Sequence, residues 1–206
     1  MDSGYSEVNN GSKILIVSFA GCGKGMTNMP MFEFRHFLTN VFPTANLLFL
    51  KDDNKAWYNK GIIGISSDVP TTVEFLREKT KGYDTVSFIG SSAGGYAAIL
   101  FGSLLNVSIV LAFRPQTIIE KDCMDKKYND LKGLINSKTL YCIYGETCNT
   151  SDDLHSFTHC TRIEGSSNVI VHSKEVIDLK EMRNNGWLKS EFLRIFQIKY
   201  SELGNF

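Results

Sequence analysis

Apolar positions along this chain fall into two periods. Residues 13–19 form a predominantly apolar run around Leu15, Ile16 and Val17, and residues 46–51 repeat it with Leu47, Leu48, Phe49 and Leu50. Residues 85–90, 107–113 and 139–144 are three more such runs. Short, continuous apolar segments predict strands covered on both faces, as in a mostly parallel sheet. Between them the period lengthens. Phe34, Phe37, Leu38 and Val41 predict an amphipathic helix over 31–42, and Val73 and Leu76 predict another over 71–81, begun near Pro70. Ala97, Ala98, Ile99, Leu100 and Leu104 continue the third strand into a helix apolar on most sides. A Lys- and Asp-rich helix is expected over 120–135, a short last strand over 160–163, and a final helix whose stripe is Leu188, Phe192, Ile195 and Phe196. Strand and helix alternate throughout. The expectation is therefore an α/β fold, a central sheet of about six mostly parallel strands with helices on both faces. Residues 1–12 are polar and read as a flexible lead-in, with 13–206 a single domain.

Composition narrows the function classes. With 22 basic and 22 acidic residues among 206, the formal charge is zero, so there is no electrostatic case for nucleic acid or an anionic membrane. Residues 1–13 lack the basic start and apolar core of a signal peptide, and no apolar run is long enough to span a bilayer. Five scattered cysteines without a CxxC pattern cannot all pair within one chain, which points to a reduced, cytoplasmic setting. No Cys/His cluster has metal-ligand spacing, and no cofactor is called for. The sequence sets no oligomeric state.

The chemistry centres on Gly90-Ser91-Ser92-Ala93-Gly94, between the third strand and its helix. G-x-S-x-G at such a junction is the pattern of a nucleophile elbow, in which a sharp turn projects the serine hydroxyl. Small residues two positions either side let neighbouring backbone pass. Gly90 and Gly94 fill those positions, and Gly95 widens the clearance. The rival reading is a Gly-rich turn that serves only close packing. A second rival, phosphate binding at Gly23-Lys24, fails the P-loop pattern twice, because Ser18 stands at its first glycine and Gly25 at its Ser/Thr position.

A serine hydroxyl needs a base and a group that orients the base. Four histidines are available. His36 precedes the elbow, His155 lies too close to an acidic pair to sit on a separate loop, and His159 abuts the expected last strand. His172 lies after that strand and is the preferred base. For the acid, Asp152 is preferred over Asp153, with Glu146 behind both. The competing role for Asp152 is to cap the helix that follows it. The oxyanion hole requires backbone N–H groups from Ala93 and from Gly21 or Cys22, in the loop after the first strand. Trp57, Tyr58 and Gln116 are candidate substrate contacts. Arg114 can face the same edge or pair with a carboxylate.

These residues resemble the α/β-hydrolase superfamily over nearly the whole chain. The carriers are the first strand with its Gly-rich turn, the elbow from Phe88 to Gly102, the Asp152 loop and the His172 loop. The sequence is most similar to a compact, capless subset in which Phe32-Glu33-Phe34 follows the first loop. In that subset Asp52, Trp57, Tyr58 and Gly61 follow the second strand, and Pro115-Gln116-Thr117 ends the strand after the elbow. Such proteins are small esterase-like enzymes that accompany polysaccharide-modifying machinery. The resemblance implies a Ser-His-Asp hydrolase acting on a small acyl ester, on a sugar or another polar alcohol, through an acyl-enzyme. Acyl transfer or thioester cleavage at the same site, and a non-catalytic partner protein, are the alternatives. The usual Asp-His or Gly-x-x-His context is absent around His172.

Overall fold

In a computed structural model, residues 4–23, 32–122, 124–148, 150 and 153–202 are described, the last five by their backbone alone. Seven strands form one sheet. They are β1 (Tyr5–Val8), β2 (Ile14–Phe19), β3 (Asn46–Leu50), β4 (Thr85–Ser91), β5 (Ile109–Phe113), β6 (Leu140–Glu146) and β7 (Val169–Lys174). Their spatial order is β1-β3-β2-β4-β5-β6-β7, with every pair parallel except β1 against β3. The central strands are the apolar runs of the sequence, and β4 is buried along its whole length. Parallel strands need crossovers, supplied here by helices except between β5 and β6, and two further helices follow β7. The helices are α1 (Arg35–Val41), α2 (Val69–Thr80), α3 (Ala93–Leu105), α4 (Phe157–Thr161), α5 (Leu179–Asn184) and α6 (Trp187–Glu202).

Side-chain alternation splits the core into two layers. Leu15, Val17, Phe19, Phe88, Val110 and Ile143 face α2, α3 and α4. Ile16, Leu47, Ile89, Leu111 and Phe113 face α1, α5 and α6. The stripe expected on the last helix is present, with Leu188, Phe192, Ile195 and Phe196 at most 2% exposed. Each contributes roughly 2 to 3 kcal/mol of apolar burial. α3 is apolar all round because β4, β5 and α2 enclose it. Its C-cap, Asn106, takes the left-handed conformation.

Three expectations are corrected. The segment 5–8 is not a free lead-in; Tyr5 to Val8 pair with Leu50 to Leu47 as an edge strand. Such a strand is held by backbone hydrogen bonds and carries no continuous apolar run. Residues 160–163 are no strand, since Cys160 and Ile163 are the buried positions of α4 and the turn after it. The last strand lies ten residues later, over 169–174. In place of the expected helix over 120–135, the described residues form turns and a short 3-10 segment at Lys132–Leu134. Among the described residues no cap domain is inserted between the strands.

Candidate active site

Ser92 stands where β4 meets α3, with φ 53° and ψ −120°. A β-substituted residue reaches such a conformation only under constraint. The constraint is visible in its surroundings. The Ser92 N–H donates to Phe113 O at 2.9 Å, and Ser92 O accepts the first helical bond from Tyr96 N–H at 3.0 Å. The flanking glycines are sterically required. A Cβ on Gly90 would stand 2.2 Å from Gly94 O, and one on Gly94 would stand 2.1 Å from Phe19 O. The elbow is thus wedged against the end of β2, where the Gly21 loop begins.

Ser92 Oγ lies 2.9 Å from His155 Nε2. His155 Nδ1 is 3.2 Å from Asp153 Oδ1, and the same oxygen accepts the His155 backbone N–H at 2.8 Å. With Asp153 ionised, Nδ1 carries the ring proton and Nε2 is left to accept from Oγ–H. The backbone and ring bonds from His155 hold the Asp153 carboxyl below the usual aspartate value. The turn is anchored from below. Glu146 N–H donates to His155 O at 3.4 Å, and Ser156 Oγ caps α4 by accepting from His159 N–H. α4 in turn lies against β6 at Gly145, where a Cβ would stand 2.5 Å from Phe157 Cα.

The preferred base is corrected by this geometry. His172 lies inside β7, paired with Tyr144 of β6. β7 is three strands from β4, or about 14 Å at ordinary strand spacing. Its ring stacks on Tyr144 with centroids 4.7 Å apart, and its Nε2 is buried without a partner among the described residues. Burial holds its pKa below the ordinary histidine value. Asp152 lies outside the described residues, as does Lys24, and Asp153 is the carboxylate on the His155 ring. In sequence, the closeness of His155 to the acidic pair reads as local packing, and no other signal there singles it out as the base. That closeness is the geometry itself: two residues apart in a tight turn, carboxylate and imidazole meet. His159 keeps a backbone role, its carbonyl accepting from Thr117 Oγ1 at 2.8 Å, and His36 is exposed on α1.

On the oxyanion side, Ala93 opens α3, where first-turn N–H groups have no intrahelical acceptor. A Cβ on Gly21 would lie 3.8 Å from Ser92 Cβ, so the expected loop does border the nucleophile. The Gly21 N–H, however, is taken by Glu33 Oε2 at 3.1 Å. Cys22 N–H has no acceptor among the described residues and is the open member of the pair. Burial lifts the Glu33 carboxyl to about 6, against the Gly21 N–H and the Arg114 guanidinium, which lower it. Burial likewise pushes the Cys22 thiol up to about 11, so the side chain stays a thiol.

The expected substrate contacts separate. Tyr58 is fully buried and donates to Ala20 O (2.9 Å) or Leu50 O (3.1 Å), which makes it a strut under the oxyanion loop rather than a pocket wall. Trp57 is 8% exposed, its Nε1–H donates to Gln116 Oε1, and Lys121 Nζ lies 4.2 Å from its ring centroid. Both tyrosine and tryptophan have positive φ, 62° and 51°, held by Asp52. The Asp52 carboxylate accepts from Asn54, Ala56 and Tyr58 N–H at 3.0, 2.7 and 2.9 Å. Arg114 pairs with Glu146 Oε1 at 3.4 Å, and the same oxygen accepts Ile177 N–H at 2.8 Å.

No described group of His, Cys, Asp and Glu could hold a metal ion, and no described helix is long and apolar enough to cross a membrane. No family model matches the chain, and no curated protein is similar to it in sequence. Solved structures are similar in fold. A capsule O-acetyltransferase of Neisseria meningitidis serogroup A superposes with TM-score 0.62 at 15% identity, covering 94% of this chain and 92% of that one. A Staphylococcus aureus protein of unknown function gives 0.67 at 11%, covering 96% and 93%. MGS-MChE2, an α/β hydrolase from a lagoon-sediment metagenome, gives 0.58 at 15%, covering 98% and 95%. Sheet order, elbow and these likenesses agree: the chain has the α/β-hydrolase fold.

Proposed function

We propose that this chain is a serine-dependent acyl-ester enzyme. Ser92 attacks the carbonyl, His155 Nε2 takes its proton, and Asp153 holds the imidazolium. The N–H groups of Ala93 and Cys22 receive the charge that develops on the carbonyl oxygen. His155 returns the proton to the departing alcohol, and a water deprotonated by the same imidazole releases the acyl group. The observation that carries this reading is the 2.9 Å contact between Ser92 Oγ and His155 Nε2 at an elbow with φ 53°. The substrate is a small acyl ester of a sugar or other polar alcohol. Acyl transfer by the same site is the second reading, supported by the fold likeness to a capsule O-acetyltransferase. The two differ only in whether water or an alcohol reaches the acyl-enzyme. Cys22, Cys142 and Cys160 carry free thiols, which supports a reduced, cytoplasmic location.

The test is covalent labelling by a fluorophosphonate probe. The native chain is labelled, S92A is not, and H155A is labelled about 10³-fold more slowly. H172A is labelled at close to the native rate. Loss of labelling in H172A with retention in H155A would overturn the assignment of the base. Absence of labelling in the native chain would overturn the reading as a whole. Products of an acetyl ester with and without a polyol acceptor then separate hydrolysis from transfer.

A further inference from the structure

A cavity of about 430 Å³ opens beside the elbow, between the Gly21 loop, the start of α1 and the helices α5 and α6. That volume lies in the range of small-molecule sites. Gly21 lines it, and a Cβ built there would lie 3.8 Å from Ser92 Cβ, so the Gly21 backbone stands between the cavity and the nucleophile. Its floor is apolar, made of Phe34, Phe37 and Leu188. Its rim holds Arg35 from one side and Lys180 and Arg183 from the other, all exposed. Lys180 and Arg183 stand three apart on α5 and so share a face. None of the three forms an ion pair among the described residues. Among the described residues of the lining the one carboxyl is Glu33, and it is turned onto the Gly21 N–H. The described lining thus carries three cations against one carboxyl around an apolar hollow, while Asp178 and Glu181 line the neighbouring recess beside Lys180.

We infer that this cavity seats the substrate of the Ser92 site, and that the substrate is an acyl ester whose apolar body carries an anionic group, phosphate or carboxylate. This rests on the reading of Ser92 as a nucleophile and narrows the polar alcohol of its ester to one that is anionic at one end and apolar along its body, which sets a sugar aside. The body fills the Phe34–Leu188 floor, the anion meets the Arg35, Lys180 and Arg183 rim, and the ester reaches past Gly21 to Ser92 Oγ. Oppositely charged groups around a recess raise the capture rate of such a ligand and lose that advantage as salt rises.

The experiment compares three aryl acetates of similar size: neutral p-tolyl acetate, 4-acetoxybenzoate and 4-acetoxyphenyl phosphate. Each kcat/KM is divided by the rate of that ester with hydroxide, which removes differences in leaving group. In the native chain at least one anionic ester exceeds the neutral one by about tenfold, and the excess shrinks between 20 and 500 mM salt. The better of the two identifies the anion. In the double variant K180Q/R183Q the anionic-to-neutral ratio falls about tenfold. In K138Q, an exposed lysine ahead of β6 at the opposite edge of the sheet, it does not change. A native ratio near one, or a ratio that stays within twofold in K180Q/R183Q, overturns the inference while leaving Ser92-dependent turnover of p-tolyl acetate intact. If the native chain turns over none of the three and takes no fluorophosphonate, the nucleophile reading falls and this inference falls with it.

Discussion

Glu33→Gln isolates one buried carboxyl next to the nucleophile. In the folded chain its pKa rises from an ordinary 4.5 to about 6, because burial outweighs the Gly21 N–H and Arg114. That rise corresponds to about 2 kcal/mol between the two protonation states. A carboxyl whose folded pKa exceeds its unfolded one binds more protons in the folded chain. Its contribution to stability is therefore complete below pH 4.5 and is lost as pH climbs through 6. Glutamine cannot titrate, yet its amide oxygen can still accept the Gly21 N–H at the position of Glu33 Oε2. Every other titrating group is common to both proteins, so their difference isolates residue 33. Between pH 4 and 7.5 the native chain should lose about 2 kcal/mol relative to E33Q, roughly 4 to 8 °C in melting temperature for a domain of this size. Paired thermal melts at half-unit pH steps measure it. A native-minus-variant gap that stays flat, or that moves in favour of the native chain as pH rises, refutes the placement of Glu33 as a desolvated carboxyl against the oxyanion loop.

Two further outcomes follow from backbone geometry. In G94A the new Cβ meets Phe19 O at 2.1 Å, so α3 and the end of β2 must part by about 1 Å; kcat/KM for p-tolyl acetate should fall about 100-fold while the melt stays cooperative. Retention of more than half the native rate would show that the elbow is not wedged against the oxyanion loop. In D52A three backbone N–H groups lose their acceptor under a loop with Lys55, Trp57 and Tyr58 at positive φ, and chemical denaturation should show a loss of about 3 kcal/mol. A loss under 1 kcal/mol would mean that the loop holds its shape without the carboxylate.

Much of this molecule is legible residue by residue. The strands from 14 to 146 are predominantly apolar runs, as strands covered on both faces require. The elbow is equally local. Ser92 at φ 53° requires small neighbours, and Gly90 and Gly94 stand two positions either side in the sequence. The stripe on α6 is set by helical period alone. What stayed hidden was the partner of the serine. Cys160 and Ile163 are apolar positions three apart, and so short a run reads as strand or helix alike. Read as the last strand, that run places His172 beyond the sheet, whereas His172 lies within β7 against Tyr144.

The sequence by itself therefore determined the layers, the bend at Ser92 and the presence of histidines and carboxylates downstream. Only the tertiary structure decided which imidazole meets the hydroxyl. His155 is 63 residues from Ser92, and their contact depends on the registers of β4, β5 and β6 together with the close approach of α4 to Gly145. Local propensity sets the conformation of each segment. A contact across three strands is a sum of pairings, and no single segment encodes it.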